Sequence, residues 1–125
     1  MDEKSRANLS TCDPILQAVF NAVDQFIPLR VIEGHRSPER QKQLFEEGRS
    51  KVLVGKHNTN PSEGADVAPL PVNWKDTDRF YYFAGFVIGM ASSMGYKLRW
   101  GGDWDRDHEL NDQTFMDLVH YEVVR

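Results

Sequence analysis

Two histidines and one aspartate have the residue types and surroundings of a metal site. His57 lies in a loop rich in Gly, Asn and Pro, Asp66 follows at the start of an apolar stretch, and His120 begins a second apolar stretch. A carboxylate that enters an apolar strand loses water, a cost that a metal ion or a buried hydrogen-bond partner would offset. Two nitrogen ligands and one oxygen ligand, with a fourth position left for water, are typical of catalytic zinc. The spacing alone leaves open an ordinary hydrogen-bonded histidine, which is how we interpret His35 and His108.

Short secondary-structure elements must position these residues. An acidic or hydroxyl residue at the start of an apolar or charged period is a helix N-cap signal. Such signals predict helices over 14–26, 39–47 and 77–94. Short β-branched or alternating stretches predict strands over 29–33, 65–70, 96–100 and 120–124. Gly85 and Gly89, four residues apart in the third helix, would allow another element to approach its backbone closely. We expect an α+β fold, a small mainly antiparallel sheet with helices packed against it, in a single domain over 1–125.

Composition narrows the class of protein. The chain has 125 residues, 40% of them hydrophobic and 27% charged, which is enough for a buried core. A net charge of -4 argues against nucleic acid as a partner. The single cysteine, Cys12, cannot form an internal disulfide. Because the first residues contain no apolar signal region and no apolar run reaches membrane-spanning length, we expect synthesis in the cytoplasm without a signal peptide and no stable membrane association.

Four segments, taken in order, resemble the zinc peptidases of the D-Ala-D-Ala carboxypeptidase and L-alanyl-D-glutamate endopeptidase family, and most of all its small bacteriophage endolysins. The segments are EGHRSPERQ, GKHNTNPSEGADVAP, LRWGGDWD and FMDLVHYEV. The resemblance implies a Zn²⁺ ion held by His57, Asp66 and His120. It further implies that Asp117, three residues before the last ligand, is the catalytic base, and that Arg36 lies beside the metal and contacts the substrate carbonyl or the developing oxyanion.

The chain departs from the usual pattern of this family in two places. Eight residues separate His57 from Asp66 where many members have six, and position 55 is glycine where many members have serine. We interpret Asn60-Pro61, within the longer interval, as a wider turn. The acidic residue at 117 is aspartate, as in the endopeptidase branch, whereas the other branches usually have glutamate. This difference favours an endopeptidase.

Further residues have a predicted role near the site and an ordinary alternative. Asp117 can share a side with His120 only if the strand kinks at 118–119, because residues three apart on a regular strand face opposite ways. Glu122, on the same strand face as His120, is a competing base or a partner that orients a ligand histidine. Arg36 has the alternative of a surface ion pair with Glu39 or Glu33.

The segment Trp100 to Trp104 carries the last candidates. Its two tryptophans are either core aromatics or a platform beside the cleft, and the glycines between them favour partial exposure. Asp103 is expected either to hold a site histidine or to hydrogen-bond the substrate.

These residues predict a zinc metallopeptidase that hydrolyses the L-Ala-D-Glu amide bond of peptidoglycan stem peptides and lyses the cell wall. One alternative is a D-Ala-D-Ala carboxypeptidase with the same zinc site, and another is a zinc-stabilised peptidoglycan-binding module without catalysis. We expect a monomer whose partner is the peptidoglycan peptide. The resemblance to endolysins implies release to the wall through a holin-like pore.

Overall fold

A computed structural model describes residues 1–50, 55–111, 113 and 116–125. These residues form four α-helices around one four-stranded sheet, which confirms the predicted α+β class. The helices are α1 (Glu3–Ser10), α2 (Pro14–Asp24), α3 (Pro38–Glu46) and α4 (Thr77–Ser93). The strands are β1 (Leu29–Glu33), β2 (Gly64–Pro69), β3 (Leu98–Gly101) and β4 (Asp117–Val123).

The sheet has the order β1-β2-β4-β3, and each pair of neighbouring strands is antiparallel. In the central pair, Ala65 lies opposite Tyr121 and Asp66 lies opposite His120. Because successive side chains on a strand point to opposite faces, Asp66 and His120 share one face while Ala65 and Tyr121 share the other. The register therefore places two of the predicted metal ligands side by side.

The face that carries Tyr121 is covered by α2 and α4. The ring of Tyr121 packs edge-on against Phe20 of α2 and Phe83 of α4, at centroid distances of 5.4 and 6.3 Å. Both helices begin at the predicted caps, since the Asp13 and Asp76 side chains accept hydrogen bonds from the first turn. Burial of these apolar faces is the main favourable contribution to folding.

Helix α1 was not predicted, because its sequence has no apolar period. Asp2 caps it, and only Ser5 and Leu9 are buried. The Ser5 hydroxyl accepts a hydrogen bond from the Val31 amide at 3.0 Å, and the Asn8 amide donates to the Val31 carbonyl at 2.9 Å. A polar helix therefore covers the outer edge of the sheet, where unpaired backbone groups would otherwise remain.

Helix α4 has 17 residues, and none of the described helices is long and apolar enough to cross a membrane. The close approach that Gly85 and Gly89 would allow is not made by any described element. No described atom outside the helix lies within 4 Å of a Cβ built at either glycine. Both glycines instead border a shallow groove between α4 and the loop that follows β3.

Element ends differ from the prediction where tertiary contacts decide them. Helix α2 ends at Asp24 and not at 26, and β3 begins at Leu98 and not at 96. The largest difference is in β4, which begins at Asp117, three residues before the predicted start. Pairing with β3 extends this strand, and local sequence preference does not report such pairing.

Candidate metal centre and catalytic cavity

His57, Asp66 and His120 meet in the wall of a cavity of about 1240 Å³. His57 Nε2 lies 3.1 Å from Asp66 Oδ1 and 3.2 Å from His120 Nδ1. His120 Nδ1 lies 3.4 Å from the same carboxylate oxygen. The three atoms form a nearly equilateral triangle, and both imidazoles are almost completely buried.

The other nitrogen of each imidazole has an acceptor of its own. His57 Nδ1 donates to the Gly34 carbonyl at 2.7 Å, and His120 Nε2 donates to Glu122 Oε1 at 2.8 Å. With protons fixed at those positions, His57 Nε2 and His120 Nδ1 turn their lone pairs toward Asp66 Oδ1. Three electron-rich atoms this close require a cation between them, either a proton or a metal ion.

The triangle fits a zinc ion. Ligand bonds of about 2.0–2.1 Å in tetrahedral geometry place ligand atoms about 3.3 Å apart, and the observed separations are 3.1 to 3.4 Å. The donor set of two imidazoles and one carboxylate suits zinc, and a zinc ion bound there would have a fourth coordination position left for water.

Electrostatics within the triangle follow from its burial and its charges. Burial alone would raise the pKa of Asp66, but the hydrogen bonds and charges of His120 and His57 hold that pKa far below its ordinary value. Burial alone would lower the pKa of His120, but the Asp66 and Glu122 carboxylates raise it to about 9. Zinc binding at neutral pH must therefore displace a proton from His120.

Glu122 holds His120 from the opposite side. Burial raises the pKa of Glu122, but hydrogen bonds and charges lower it more, so that the carboxylate is ionised. These come from His120 and from the Arg99 guanidinium, which lies 3.1 Å from Glu122 Oε2. This position matches the predicted partner that orients a ligand histidine.

Arg36 holds the third ligand. Its Nη2 donates to Asp66 Oδ2 at 3.3 Å, which leaves Oδ1 facing the imidazoles. The same guanidinium makes two hydrogen bonds to Glu33, at 2.7 and 3.2 Å, and one from Nη1 to Gln41 Oε1 at 2.8 Å. Arg36 thus makes the alternative pair with Glu33 and also lies beside the metal ligands. Among the described residues, one N–H of Nη1 is left for a substrate oxygen.

Asp117 lines the same cavity because β4 is irregular. Opposite Trp100 lies Tyr121, but opposite Gly101 lies Asp117, so that 118–120 form the kink that the sequence required. A Cβ on Gly101 would lie 2.1 Å from the Asp117 carbonyl oxygen, so this close approach needs glycine. Burial and the negative charge of Asp66 raise the pKa of Asp117, against the opposing charges of His120, His57 and Arg36.

Trp100 in β3 and Trp104 in the loop after it have opposite environments. Trp104 lines the cavity, with its ring centroid 5.5 Å from that of His120. Trp100 is buried in the core, and the expectation that it is partly exposed beside the cleft is wrong. Its ring packs edge-on against Tyr81 and over Gly102, and its indole N–H donates to the Leu118 carbonyl at 2.9 Å. Trp100 therefore supports the kinked strand from behind.

Asp103 contacts neither a site histidine nor the cavity, which corrects its predicted role. Its carboxylate accepts hydrogen bonds from the backbone amides of Asp107 and His108, at 3.3 and 3.0 Å. The side chain borders the groove beside α4. The carboxylate therefore makes local hydrogen bonds within its own tight loop and none to the distant imidazoles of the site.

The longer interval between His57 and Asp66 does not separate the ligands. His57 lies in a 3-10 turn, Lys56–Asn58, and the additional residues form a loop that returns to β2. This loop is tied down where the Ser62 amide donates to the Thr11 carbonyl at 2.9 Å. Position 55, glycine here, borders the cavity and offers no hydroxyl.

Sequence reasoning missed two residues that shape the centre. Gln41 is 1% exposed and bridges Arg36 to Ser50, whose hydroxyl accepts from Gln41 Nε2 at 2.8 Å. Its spacing of three from Leu44, the other buried residue of α3, was a usable signal. Gly64 lies against the histidines, since a Cβ there would be 3.2 Å from His120 Cε1 and 3.3 Å from the His57 amide nitrogen. No sequence pattern indicates that contact.

Comparisons with known proteins agree with this geometry. The family model for "Phage L-alanyl-D-glutamate peptidase" matches residues 1–124. The L-alanyl-D-glutamate peptidase of Escherichia phage T5 is 26% identical over an alignment of 133 residues. The alignment covers 98% of this chain and 96% of that protein. The crystal structure of the Serratia marcescens L-Ala D-Glu endopeptidase ChiX superposes with a TM-score of 0.81 at 27% identity, covering 99% of this chain and 89% of that one.

Proposed function

This chain belongs to the phage L-alanyl-D-glutamate peptidase family, and we propose that it hydrolyses the L-Ala-D-Glu bond of peptidoglycan with a zinc ion held by His57, Asp66 and His120. Peptidase activity on that bond follows from the family and from its relatives. The zinc assignment depends on one observation above all. Three ligand atoms lie 3.1 to 3.4 Å apart, and the remaining nitrogen of each imidazole donates elsewhere.

A zinc ion held by His57, Asp66 and His120 would supply Lewis acidity, which would lower the pKa of a bound water toward ~7 and polarise the scissile carbonyl. Asp117 is the proposed general base. It borders the cavity, and its raised pKa favours both accepting a proton from the attacking water and returning it. In the net reaction the L-alanyl carbonyl carbon gains the hydroxyl, the C–N bond breaks, and the D-glutamyl nitrogen gains the proton.

Arg36 has two proposed tasks. It fixes the Asp66 carboxylate through Nη2, and its remaining Nη1 hydrogen donates to the substrate carbonyl oxygen as negative charge develops there. Glu33 and Gln41 hold the guanidinium in one orientation, so little reorganisation is needed.

We propose that a monomer is the active species, because the three candidate ligands, Asp117 and Arg36 already line one cavity. We further propose that the enzyme acts on the cell wall as a lysin and reaches it through a holin-like pore, as its family resemblance implies.

The test is mass spectrometry of purified muropeptides digested by the metal-loaded enzyme, by chelator-treated enzyme and by chelator-treated enzyme with zinc restored. We expect cleavage between L-Ala and D-Glu, its loss with chelator, and its recovery with zinc. Release of free D-alanine would instead favour a carboxypeptidase. Binding without cleavage would favour a non-catalytic module, and full activity after complete metal removal would refute the zinc mechanism.

A further inference from the structure

Trp74 is an exposed aromatic residue that borders the catalytic cavity. It lies in the segment between β2 and α4, and it lines the same cavity as His57, Asp66 and His120. Its exposed fraction is 63%, although a tryptophan of a folded protein is usually well buried. Nothing in the proposed chemistry uses this side chain.

The indole is held in place from one side. Its ring stacks on Phe80, at a centroid distance of 5.7 Å and an interplanar angle of 16°. Phe80 is itself 2% exposed, so it forms a fixed base for the indole. Phe80 therefore covers part of the indole, and the exposed remainder lines the cavity as an apolar platform.

The chemistry of the substrate supplies an occupant for this platform. If the enzyme cleaves the L-Ala-D-Glu bond, as proposed above, the L-alanine on the acyl side is joined to the lactyl group of N-acetylmuramic acid. Only six covalent bonds separate the scissile carbonyl carbon from the sugar ring, a reach of roughly 7 Å. The C–H groups on one face of a pyranose ring form a flat apolar patch that packs well on an aromatic face.

We propose that Trp74 is a saccharide-binding residue that stacks on the N-acetylmuramyl ring of the substrate. The enzyme then recognises the junction between glycan and peptide, and it cleaves stem peptides that are still attached to sugar faster than it cleaves free peptides. This proposal rests on the proposed function, because it takes the cleaved bond as given.

The experiment compares two substrates that differ only in the sugar. One is N-acetylmuramyl-L-Ala-γ-D-Glu-diaminopimelate, and the other carries a lactyl group in place of the whole muramyl group. We expect kcat/KM of the zinc-loaded enzyme to be about tenfold higher for the muramyl substrate, the factor expected from covering roughly 55 Å² of apolar surface. Trp74→Ala should remove this preference by lowering kcat/KM for the muramyl substrate much more than for the lactyl peptide, and Trp74→Phe should retain part of the preference.

Tyr82→Ala is the matched control, because Tyr82 is 73% exposed and does not line the cavity. It should keep the full preference for the sugar. Equal rates of the wild-type enzyme on both substrates would overturn the proposal, as would an equal loss on both substrates in Trp74→Ala. Failure of the wild-type enzyme to cleave either substrate at L-Ala-D-Glu would instead overturn the proposed function, so the two failures are distinguishable.

Discussion

The two faces of strands β2 and β4 have opposite tasks although their residues alternate one by one. Ala65, Val67, Tyr121 and Val123 face the core and are at most 1% exposed. Asp66, His120 and Glu122, interleaved with them, face the cavity and hydrogen-bond one another or the arginines beside them. One face stabilises the fold and the other holds the three candidate ligands. A register slip of one residue would exchange the two faces, so burial of the core face also fixes the position of the candidate metal centre.

The largest expected effect comes from the cavity face. His120→Ala should abolish stoichiometric zinc binding and lower kcat/KM at least about 10³-fold, more than the loss of a partner that only orients a ligand. His108→Ala is the matched control, since that histidine is exposed and lies outside the cavity. Metal analysis and muropeptide kinetics on both variants check this, and a zinc-loaded, active His120→Ala enzyme would contradict it.

Asp117→Asn should separate chemistry from metal binding. Loss of the base should lower kcat/KM by about 10²–10⁴ while zinc content stays unchanged. Glu122→Gln should behave in the opposite way, with zinc affinity reduced about 10–100-fold and activity restored by excess zinc. If Glu122→Gln saturated with zinc lost more activity than Asp117→Asn, the assignment of the base would pass to Glu122.

Zinc affinity should rise with pH. His120 has a pKa of about 9 in the metal-free protein, so below that value it carries a proton that zinc must displace. Each unit of pH up to about 7 should therefore tighten binding close to tenfold, and the rise should be steeper between about 7 and 9, where the zinc-bound water also loses a proton. Calorimetry in buffers of different ionisation enthalpy should detect at least one proton released at pH 7. No proton release would contradict the arrangement.

Alanine substitutions at two glycines, one on the cavity face of β2 and one on the open side of α4, should have different effects. In Gly64→Ala the added methyl group presses on His120 and His57, and we expect zinc affinity to fall by about tenfold. Gly85→Ala, in the open part of α4, should leave zinc binding unchanged and raise the free energy of unfolding by about 0.5–1 kcal/mol. Zinc titration and urea denaturation of both variants measure these effects.

The smallest effect belongs to the core face. The Tyr121 hydroxyl is buried with no hydrogen-bond partner among the described residues, and burial holds its pKa well above the ordinary value. Tyr121→Phe removes that unsatisfied group. The free energy of unfolding should stay unchanged or rise by up to about 1 kcal/mol, and activity should be retained. If denaturant titration showed the free energy of unfolding to fall by more than about 1 kcal/mol, the hydroxyl would have a hydrogen-bond partner.

Much of this arrangement could be predicted from the sequence where the signal is local. The caps at Asp13, Ser37 and Asp76 act within one helical turn, and each helix begins there. The metal-site residues emerged from family motifs, which carry information on tertiary contacts that spacing lacks. His57 and His120 are 63 residues apart. The register of β2 against β4 brings Asp66 beside His120, and the hydrogen bond from His57 Nδ1 to the Gly34 carbonyl holds His57 against them.

The rest depends on contacts between distant segments. Trp100 and Trp104 flank the same short loop, yet one supports the kink of β4 and the other lines the cavity, because β3 pairs with β4 at only the first of them. Helix α1 has no apolar period, because its role is to hydrogen-bond the edge of β1. Gln41 is a polar residue on the buried side of a helix, and only its contact with Arg36 explains it.

The most direct test of the central claim is a crystal structure of the zinc-loaded protein with anomalous diffraction at the zinc edge. We predict a single peak about 2.0–2.2 Å from His57 Nε2, His120 Nδ1 and Asp66 Oδ1, with Gly34 and Glu122 still accepting from the other ring nitrogens. A peak elsewhere, or zinc bound through the opposite nitrogen of either histidine, would contradict the account.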